Sequence, residues 1–478
     1  MPIVWWLGAS SLAAEGGNFI EATTSPFDRV VSFVGLFALV GIAWLLSENR
    51  GKVNWRPVIW GAGLQLALGF VILSPGVSEF FYTVVDGGVK QLLFFSEQGA
   101  TFVFQSIEPH ALKTGAPPDL ATGGGSFEMF IGRVSPPVKT FAFWILPTII
   151  FFSALMSVLY HIGLMQVVVR ALAWVMVRTM GTSGAESLSA AGNIFVGQTE
   201  APLLVKPFVD KMTRSELMAV MTGGFATVAG GVMGAYVSFL SDIPNIAGHL
   251  VMASIMSAPA ALAIAKVMVP ETEKSVTQGT LSVEIEKSAT NVVEAAANGA
   301  NEGMKLALNV AAMLVAIVGL VAMFDFFIGY VPVTFCESGI SAGYTCGGAP
   351  GEPMTMSILL GWVFAPIAFL MGVPWAECGV VGRLLGEKIV LTEFIAYINL
   401  GGIIQGETAQ LSQRSAVIAS YALCGFANFA SIGIQLGGIG GIAPKRMGEL
   451  ASLGLRAMTG GVIAACMTGG VAGLMYHG

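Results

Sequence analysis

Two carboxylates stand in apolar stretches of this sequence, where a charge is costly to bury and is functional by default. Each belongs to a Thr-Glu pair, Thr199-Glu200 in the first half and Thr392-Glu393 in the second. Together with Gln198, the first pair offers hydrogen-bond donors and acceptors that suit the edge of a planar heterocycle. Glu393 could accept two hydrogen bonds from a vicinal diol such as that of ribose. The two pairs therefore predict a ligand-binding site.

Both pairs also have structural interpretations. Gly197 and Pro202 break the helix on either side of the first pair and free backbone carbonyls and amides. Glu200 could then lie in a structural turn, ion-paired with Lys206. Glu393 could simply cap the neighbouring helix. The two carboxylates could also act together in an intramembrane enzyme, although the amide and hydroxyl groups around them favour recognition over catalysis.

A glycine-rich segment, 424–440, holds polar side chains that could contact the same ligand. Its glycines weaken the helix. Asn428 and Ser431 are three positions apart, so they share one helical face, and Phe426 can pack against an aromatic ligand. The alternative is close helix packing through the glycines, with Asn428 forming an interhelical hydrogen bond.

The corresponding segment of the first half, 222–236, carries Thr227, Val228 and Val232. If the helix breaks here, freed carbonyls would join the side-chain oxygens of Asn193 and Thr227 in a cage that contains only oxygen ligands. Hard cations prefer oxygen, and unwound backbone coordinates Na⁺ in transporters. Ordinary helix packing is the alternative.

The composition indicates the medium in which these groups lie. Charged residues make up 11% of the 478 residues, against about 25% in soluble proteins. Hydrophobic residues make up 55%, glycine accounts for 61 residues, and the mean hydropathy is +0.76. The net charge of −6 offers no basic surface for phosphates. These values exclude a soluble enzyme, a disordered chain and a nucleic-acid binder, and they indicate an all-α polytopic membrane protein.

Eight apolar segments are long enough to be transmembrane helices. They are 31–47, 57–75, 141–163, 214–240, 247–270, 306–330, 413–440 and 456–477. Residues 78–105 and 163–180 mix charged and apolar positions, which is typical of interfacial helices. Residues 106–138 are predicted to form a loop, residues 271–303 are predicted to form a charged amphipathic connector, and 354–373 is apolar but short.

The chain contains one long-period repeat. Gly224-Phe-Ala-Thr-Val-Ala229 resembles Gly425-Phe-Ala-Asn-Phe-Ala430, and a Thr-Glu pair lies upstream of each copy. Because the polar centre around each pair would face lipid in a plain span, we predict two re-entrant helical hairpins, near 183–208 and 375–400. Each copy contains three full spans, an odd number, so the second copy is inverted and the hairpins enter from opposite sides, as in secondary transporters.

These elements divide the chain into five parts, two of which are the copies of the inverted repeat. The parts are an N-terminal tail (1–28), scaffold helices with an interfacial helix and an external loop (29–140), the first copy (141–270), a cytoplasmic amphipathic connector (271–305) and the second copy (306–478). The apolar run in the tail is too short for a signal-peptide core, so we expect an unprocessed tail.

Lys and Arg residues fall mainly on one side of this topology. With the N-terminus outside, 15 of the 23 lie in cytoplasmic segments, so the positive-inside rule predicts a multi-pass protein with both termini outside. Cys336 and Cys346 then lie outside, at the two ends of a small polar loop. On an oxidising side they could form a disulfide, and two free thiols are the alternative.

Five stretches carry a family resemblance. They are Gly197-Gln-Thr-Glu-Ala-Pro202, Leu391-Thr-Glu-Phe394, Gly425-Phe-Ala-Asn-Phe-Ala-Ser-Ile-Gly-Ile-Gln435, Leu46-Ser-Glu-Asn-Arg50 and Leu146-Pro-Thr-Ile-Ile-Phe-Phe-Ser-Ala-Leu-Met156. In these stretches the chain resembles a bacterial concentrative nucleoside transporter. The Pro202 form of the first stretch resembles the sodium-coupled branch, and proton coupling is the alternative. The resemblance runs from about residue 30 to the C-terminus and leaves out 106–138.

The resemblance implies a symporter of the bacterial inner membrane that works as a homotrimer, with a transport part that moves across the membrane in elevator fashion. It implies nucleosides of the uridine, adenosine and cytidine class as substrates and Na⁺ as the coupling ion. By position, the nucleobase would contact Gln198, Thr199 and Glu200, with Val232 and Phe426 beside it. The ribose would contact Glu393, Asn428 and Ser431. Sodium would contact Asn193, Val196, Thr227 and Val228, partly through backbone carbonyls.

The histidines and the standard catalytic motifs give no sign of an enzyme. None of His110, His161, His249 and His477 has a metal-ligand spacing with Cys or Glu, and the sequence contains neither a Walker loop nor a nucleophile elbow. We therefore expect no catalysis, no organic cofactor and no nucleic-acid partner. A channel is a further alternative, which single-channel currents would reveal.

Overall fold

A computed structural model of the protein describes residues 18–20, 25–73, 77–104, 111–114, 127–130, 141–279, 289–329, 354–406 and 410–476. Cys336 and Cys346, and most of the N-terminal tail, lie outside the described residues. Two described residues of the tail, Asn18 and Ile20, donate backbone hydrogen bonds to the carbonyls of Ile404 and Leu411. This part of the tail therefore packs beside the second predicted hairpin.

The first half of the described chain is helical apart from one small β-ribbon. Its helices are α1 (Pro26–Leu45), α2 (Trp55–Leu73), α3 (Val77–Phe104), α4 (Leu146–His161), α5 (Leu164–Met180), α6 (Gly184–Asn193), α7 (Lys206–Val209), α8 (Arg214–Ala226), α9 (Gly230–Phe239) and α10 (Ile246–Met268). Two antiparallel strands, β1 (Ala111–Thr114) and β2 (Phe127–Phe130), lie between α3 and α4. The described chain is mostly helical, as the all-α prediction requires, and this ribbon lies inside the range that we predicted as a loop.

The second half of the described chain consists of seven helices. They are α11 (Val292–Ile328), α12 (Met356–Leu370), α13 (Cys378–Val390), α14 (Glu393–Gln405), α15 (Gln413–Leu423), α16 (Phe429–Ile442) and α17 (Met447–Met475). Helix α11 crosses residue 305, where we placed the end of the connector. The helix therefore begins at Val292, inside the charged segment, and not after it.

Several helices are long and apolar enough to cross a membrane. By length and composition, five stretches of the described chain qualify, namely α1, α8 with α9, α10, α11 and the stretch that contains α17, and the pair α4 and α5 raises the number to six. Helices α4 and α5 are bent by 78° at their junction. The fold is therefore that of a mostly helical, multi-pass membrane protein.

Capping residues fix where helices α6, α8, α14 and α16 begin. Ser183 and Glu186 form a capping box at the start of α6, and Thr213 begins α8 in the same way. Thr392 caps α14 and Asn428 caps α16 through their side chains. Such caps satisfy backbone N–H groups that have no partner within the helix, so the helices can start deep inside the bundle.

Helix α17 packs against both interrupted helices, the α8–α9 pair and the α15–α16 pair. At the start of α8, Arg214 donates a hydrogen bond to Ser452 near one end of α17. At the start of α15, Arg414 donates to the carbonyl of Gly473 near the other end. These positions are about 30 Å apart at 1.5 Å per helical residue. Helices α8 and α15 therefore enter the bundle from opposite ends.

Candidate binding site for a polar solute and a cation

The two interrupted helices meet at their breaks. Residues 227–229 separate α8 from α9, and residues 424–428 separate α15 from α16. Gly425 has a φ of +117°, and a Cβ on it would lie 2.6 Å from the carbonyl oxygen of Phe225. Glycine adopts this backbone conformation without strain and allows the close approach. The sequence thus brings the two breaks into direct contact in the middle of the bundle.

A cavity of about 1050 Å³ lies beside the two breaks. Its walls include all eight residues that we predicted to bind substrate, Gln198, Thr199, Glu200, Val232, Glu393, Phe426, Asn428 and Ser431. The cavity also reaches Tyr160 on α4, Glu302 on α11 and, near the surface, Lys206 and Asp210. Small-molecule pockets typically measure about 300–1,000 Å³, so a solute of that size fits.

Glu393 is held in the wall of this cavity by two hydrogen bonds. Its Oε1 accepts from the Tyr236 hydroxyl at 3.0 Å, and its Oε2 accepts from Asn428 Nδ2 at 3.0 Å. Tyr236 stacks on Tyr397, with ring centroids 4.4 Å apart, which fixes the position of the hydroxyl. Glu393 thus does more than begin a helix: each carboxylate oxygen keeps a lone pair that can accept a hydrogen bond from a ligand hydroxyl.

Gln198 ties the polar turn after α6 to helix α16. Its Nε2 donates to Ser431 Oγ at 3.2 Å, and its Oε1 accepts from Gln435 Nε2 at 3.0 Å. Gln435 also donates to the carbonyl of Met221 at 3.1 Å. We did not single out Gln435 from the sequence, although it lies four positions after Ser431 and so shares its helical face.

Glu200 lies at the same turn and is exposed to the cavity. Its carboxylate folds back over Gly197 and occupies the space that a Cβ at position 197 would take. No ion pair joins Glu200 to Lys206 in the described part of the chain. The alternative of a structural ion pair is therefore not formed, and the carboxylate can accept hydrogen bonds from a ligand.

The residues predicted to bind sodium lie at the same turn and at the first break. Val196 lines the cavity, and Thr227 and Val228 are buried. Thr227 Oγ1 donates to the Gly223 carbonyl at 2.8 Å.

Asn193 is the member of this set with unsatisfied polar atoms. It is 1% exposed, and neither its Oδ1 nor its Nδ2 has a hydrogen-bond partner among the residues that the structure describes. An unsatisfied buried polar group costs about 1–3 kcal/mol. A cation that binds Oδ1 would satisfy that oxygen, so the oxygen ligands at this break suit a hard cation. Among the described residues, no cluster of His, Cys, Asp and Glu suits a transition metal.

Three family profiles match successive parts of the chain. They are "Na+ dependent nucleoside transporter N-terminus" over residues 34–107, "Nucleoside recognition" over 142–243 and "Na+ dependent nucleoside transporter C-terminus" over 249–473. The chain is also 39% identical over 442 residues to "Uncharacterized transporter YutK" of Bacillus subtilis (strain 168), with 92% of this chain and 98% of that protein covered.

A vertebrate relative and a solved structure match over a similar range. The chain is 39% identical over 489 residues to "Solute carrier family 28 member 3" of Eptatretus stoutii, with 99% of this chain covered, and it spans 65% of the length of that relative. The fold also matches the structure of CNTnw in an inward-facing substrate-bound state, with a TM-score of 0.77 and 38% sequence identity. This match covers 94% of this chain and 98% of CNTnw. A CNTnw variant in an outward-facing state gives a TM-score of 0.78 over 94% of this chain and 99% of that one, also at 38% identity.

Proposed function

Because the chain belongs to the Na⁺ dependent nucleoside transporter family, we propose that it is a secondary active symporter that imports nucleosides together with sodium ions. The observation that carries the proposal is the position of Glu393. Its carboxylate is held by Tyr236 and Asn428 in the wall of a cavity whose other polar groups come from the Gln198 turn. Such a cavity offers acceptors for a sugar diol and both donors and acceptors for a base.

The substrate contacts follow from this arrangement. Glu393, Asn428 and Ser431 would hold the ribose hydroxyls. Gln198, Thr199 and Glu200 would hydrogen-bond the polar edge of the base, with Val232 and Phe426 packing beside the ring. Uridine, adenosine and cytidine all present a ribose diol and a polar base edge, so all three are candidate substrates.

Sodium would bind at the first break, through Asn193, Val196, Thr227 and Val228. The unpartnered amide of Asn193 supports this assignment. Asn193 and Thr227 do not titrate in the physiological range, so the oxygen ligands at this break suit sodium better than a proton. Since Asn193 ends the helix that leads to the Gln198 turn, a bound ion would order the turn that contacts the base. An empty cation site would then leave a low-affinity nucleoside pocket.

Alternating access would use two re-entrant hairpins in an inverted repeat. The contacts of Arg214 and Arg414 with opposite ends of α17 support hairpins that enter from opposite sides. The cavity extends toward Lys206 and Asp210, on the side that the distribution of Lys and Arg assigns to the cytoplasm, which suits an inward-open state.

We further propose eight spans, elevator-type movement, and a homotrimer in the bacterial inner membrane with both termini outside. The apolar and largely exposed surface of α11 supports contacts with lipid or with other copies.

Radiolabelled uridine and adenosine uptake into proteoliposomes tests the proposal, with a sodium gradient or a proton gradient imposed separately. We expect saturable uptake that requires the sodium gradient. Uptake that responds only to protons would replace sodium with the proton. Absence of uptake for every nucleoside would refute the substrate class, single-channel currents would favour a channel, and conversion of the nucleoside would favour an enzyme.

A further inference from the structure

Lys388 is a buried basic residue that the proposed transport cycle does not use. It lies in α13, the helix that leads to the Thr392-Glu393 pair, and it is 1% exposed. Its Nζ donates hydrogen bonds to the carbonyls of Ala422 at 2.9 Å and Cys424 at 3.2 Å. Lys388 forms no ion pair with any residue that the structure describes. Backbone carbonyls, not a carboxylate, are therefore its direct partners.

These carbonyls lie where α15 is interrupted. Helix α15 ends at Leu423, and the last carbonyls of a helix have no intrahelical N–H partner. They also carry the negative end of the helix dipole, which favours a cation. In transporters with broken helices, such half-helix ends and unwound carbonyls commonly bind the coupling ion. At the second break of this protein, a side-chain ammonium takes that position.

The internal repeat relates this position to the first break. When Gly224 is aligned with Gly425, the carbonyls of Met221 and Gly223 correspond to those of Ala422 and Cys424. Within the described part of the chain, the Gly223 carbonyl accepts from Thr227 and from no ammonium. The unpartnered Asn193 amide lies beside Gly223, with Nδ2 3.3 Å from where a Cβ of residue 223 would be. One break thus presents neutral oxygen ligands, and the other is already occupied by a charge.

We propose that the Lys388 ammonium is a built-in cation that holds the second break in the way that an exchangeable sodium ion holds the first. The comparison with sodium rests on the proposed function, whereas the role of Lys388 at the second break rests on its own contacts. Since Lys388 and Glu393 belong to the same helix-turn-helix segment, the ammonium would keep Glu393 in position whether or not sodium is bound. The sodium dependence of nucleoside binding would then arise at the first break alone.

Replacement of the side chain by a free amine tests this role. Lys388→Ala removes a propylammonium group, so its melting temperature should fall and should recover when millimolar propylammonium chloride is added to the purified protein without nucleoside. Tetramethylammonium carries the same charge but has no N–H donor, so it should not restore stability. Lys445→Ala is the matched control, since Lys445 is exposed and its replacement should change neither the stability nor the response to amines.

Nucleoside binding provides a second readout. We expect Lys388→Ala to bind uridine about tenfold more weakly or worse, the order of change for losing a buried, charged hydrogen-bond donor, and propylammonium should recover most of that loss. An alanine variant that has wild-type stability and affinity, or that ignores propylammonium, would overturn the proposal.

A second pair of variants decides the question if the alanine variant cannot be purified. Lys388→Met keeps the approximate length and loses the donors, whereas Lys388→Arg keeps the charge. The arginine variant should bind uridine more tightly than the methionine variant, and equal or reversed affinities would overturn the proposal. If the wild-type protein binds nucleoside without sodium, the proposed coupling fails, but the rescue of Lys388→Ala stability by propylammonium is still expected.

Discussion

Substitution of Glu393 by glutamine isolates the charge of the proposed ribose ligand. Glu393 accepts one hydrogen bond from Tyr236 and one from Asn428, each 3.0 Å long. A glutamine can keep both contacts, because its Oε1 can accept from Asn428 while its Nε2 donates to the Tyr236 hydroxyl. The variant should therefore fold and assemble like the wild type, and any loss of function reports on the ligand.

The size of the loss follows from the acceptors that disappear. A carboxylate can accept from both hydroxyls of a vicinal diol, whereas the amide keeps one acceptor oxygen and no charge. Hydrogen bonds to charged groups contribute about 1.5–3 kcal/mol and neutral ones about 0.5–1.5 kcal/mol. Loss of one bond and weakening of the other amounts to about 2–4 kcal/mol, or about 30- to 1,000-fold in affinity.

The assay compares two ligands on two proteins. Wild-type protein should bind uridine much more tightly than 2′,3′-dideoxyuridine when measured by calorimetry in sodium buffer. The Glu393→Gln protein should bind uridine weakly and should show a much smaller difference between the two nucleosides. Glu302→Gln is the control, because Glu302 also lines the cavity but is exposed and paired with Lys305. If Glu393→Gln lost affinity equally for both nucleosides, or transported uridine normally, the assignment of Glu393 to the ribose would be wrong.

Three further predictions concern the cation site, the contact between the breaks and the surface. Asn193→Ala should raise the melting temperature in sodium-free buffer, since it removes unsatisfied buried atoms. The same variant should show a weaker sodium dependence of uridine binding. Unchanged sodium dependence would exclude Asn193 as a sodium ligand. Gly425→Ala should destabilise the protein by about 1–3 kcal/mol, since its Cβ would clash with Phe225, and denaturation in detergent measures this. Arg214 holds the pKa of Glu48 below its usual 4.5, so their ion pair stabilises the protein fully above pH 4.5 and less as the pH falls through the lowered pKa. The stability difference between wild type and Glu48→Gln should shrink over that acidic range, and a difference independent of pH would contradict the pairing.

The sequence predicts the breaks and the polar turns well because each has a local signal. Glycines clustered around Gly425 and a Thr-Glu pair in an apolar stretch identify where a helix must stop and what it must present. By contrast, the hydrogen bond from Tyr236 to Glu393 joins residues 157 positions apart and depends on how the two halves of the chain pack. Nothing in the residues around Tyr236 indicates a carboxylate partner.

Two other features escape the sequence for different reasons. The charges before residue 305 suggest a connector outside the apolar span. Ala, Glu and Lys are also good helix formers, so α11 runs through this segment from Val292. The contacts of Lys388 depend on carbonyls, which carry no side-chain signature. The burial of Lys388 and its partners become visible only when the fold places the end of α15 beside it.

The contact between the two breaks gives a physical route by which sodium and nucleoside can influence each other. Gln435 donates both to Gln198, at the turn that would contact the base, and to the carbonyl of Met221, in the helix that leads to the first break. A shift of either partner would therefore act on the same Gln435 side chain. If sodium binding at Asn193 and Thr227 orders this turn, nucleoside binding must strengthen sodium binding by the same factor, because coupling between two binding sites is reciprocal. Under the proposed function, the broken helices would therefore both bind the two ligands and carry the coupling between their sites.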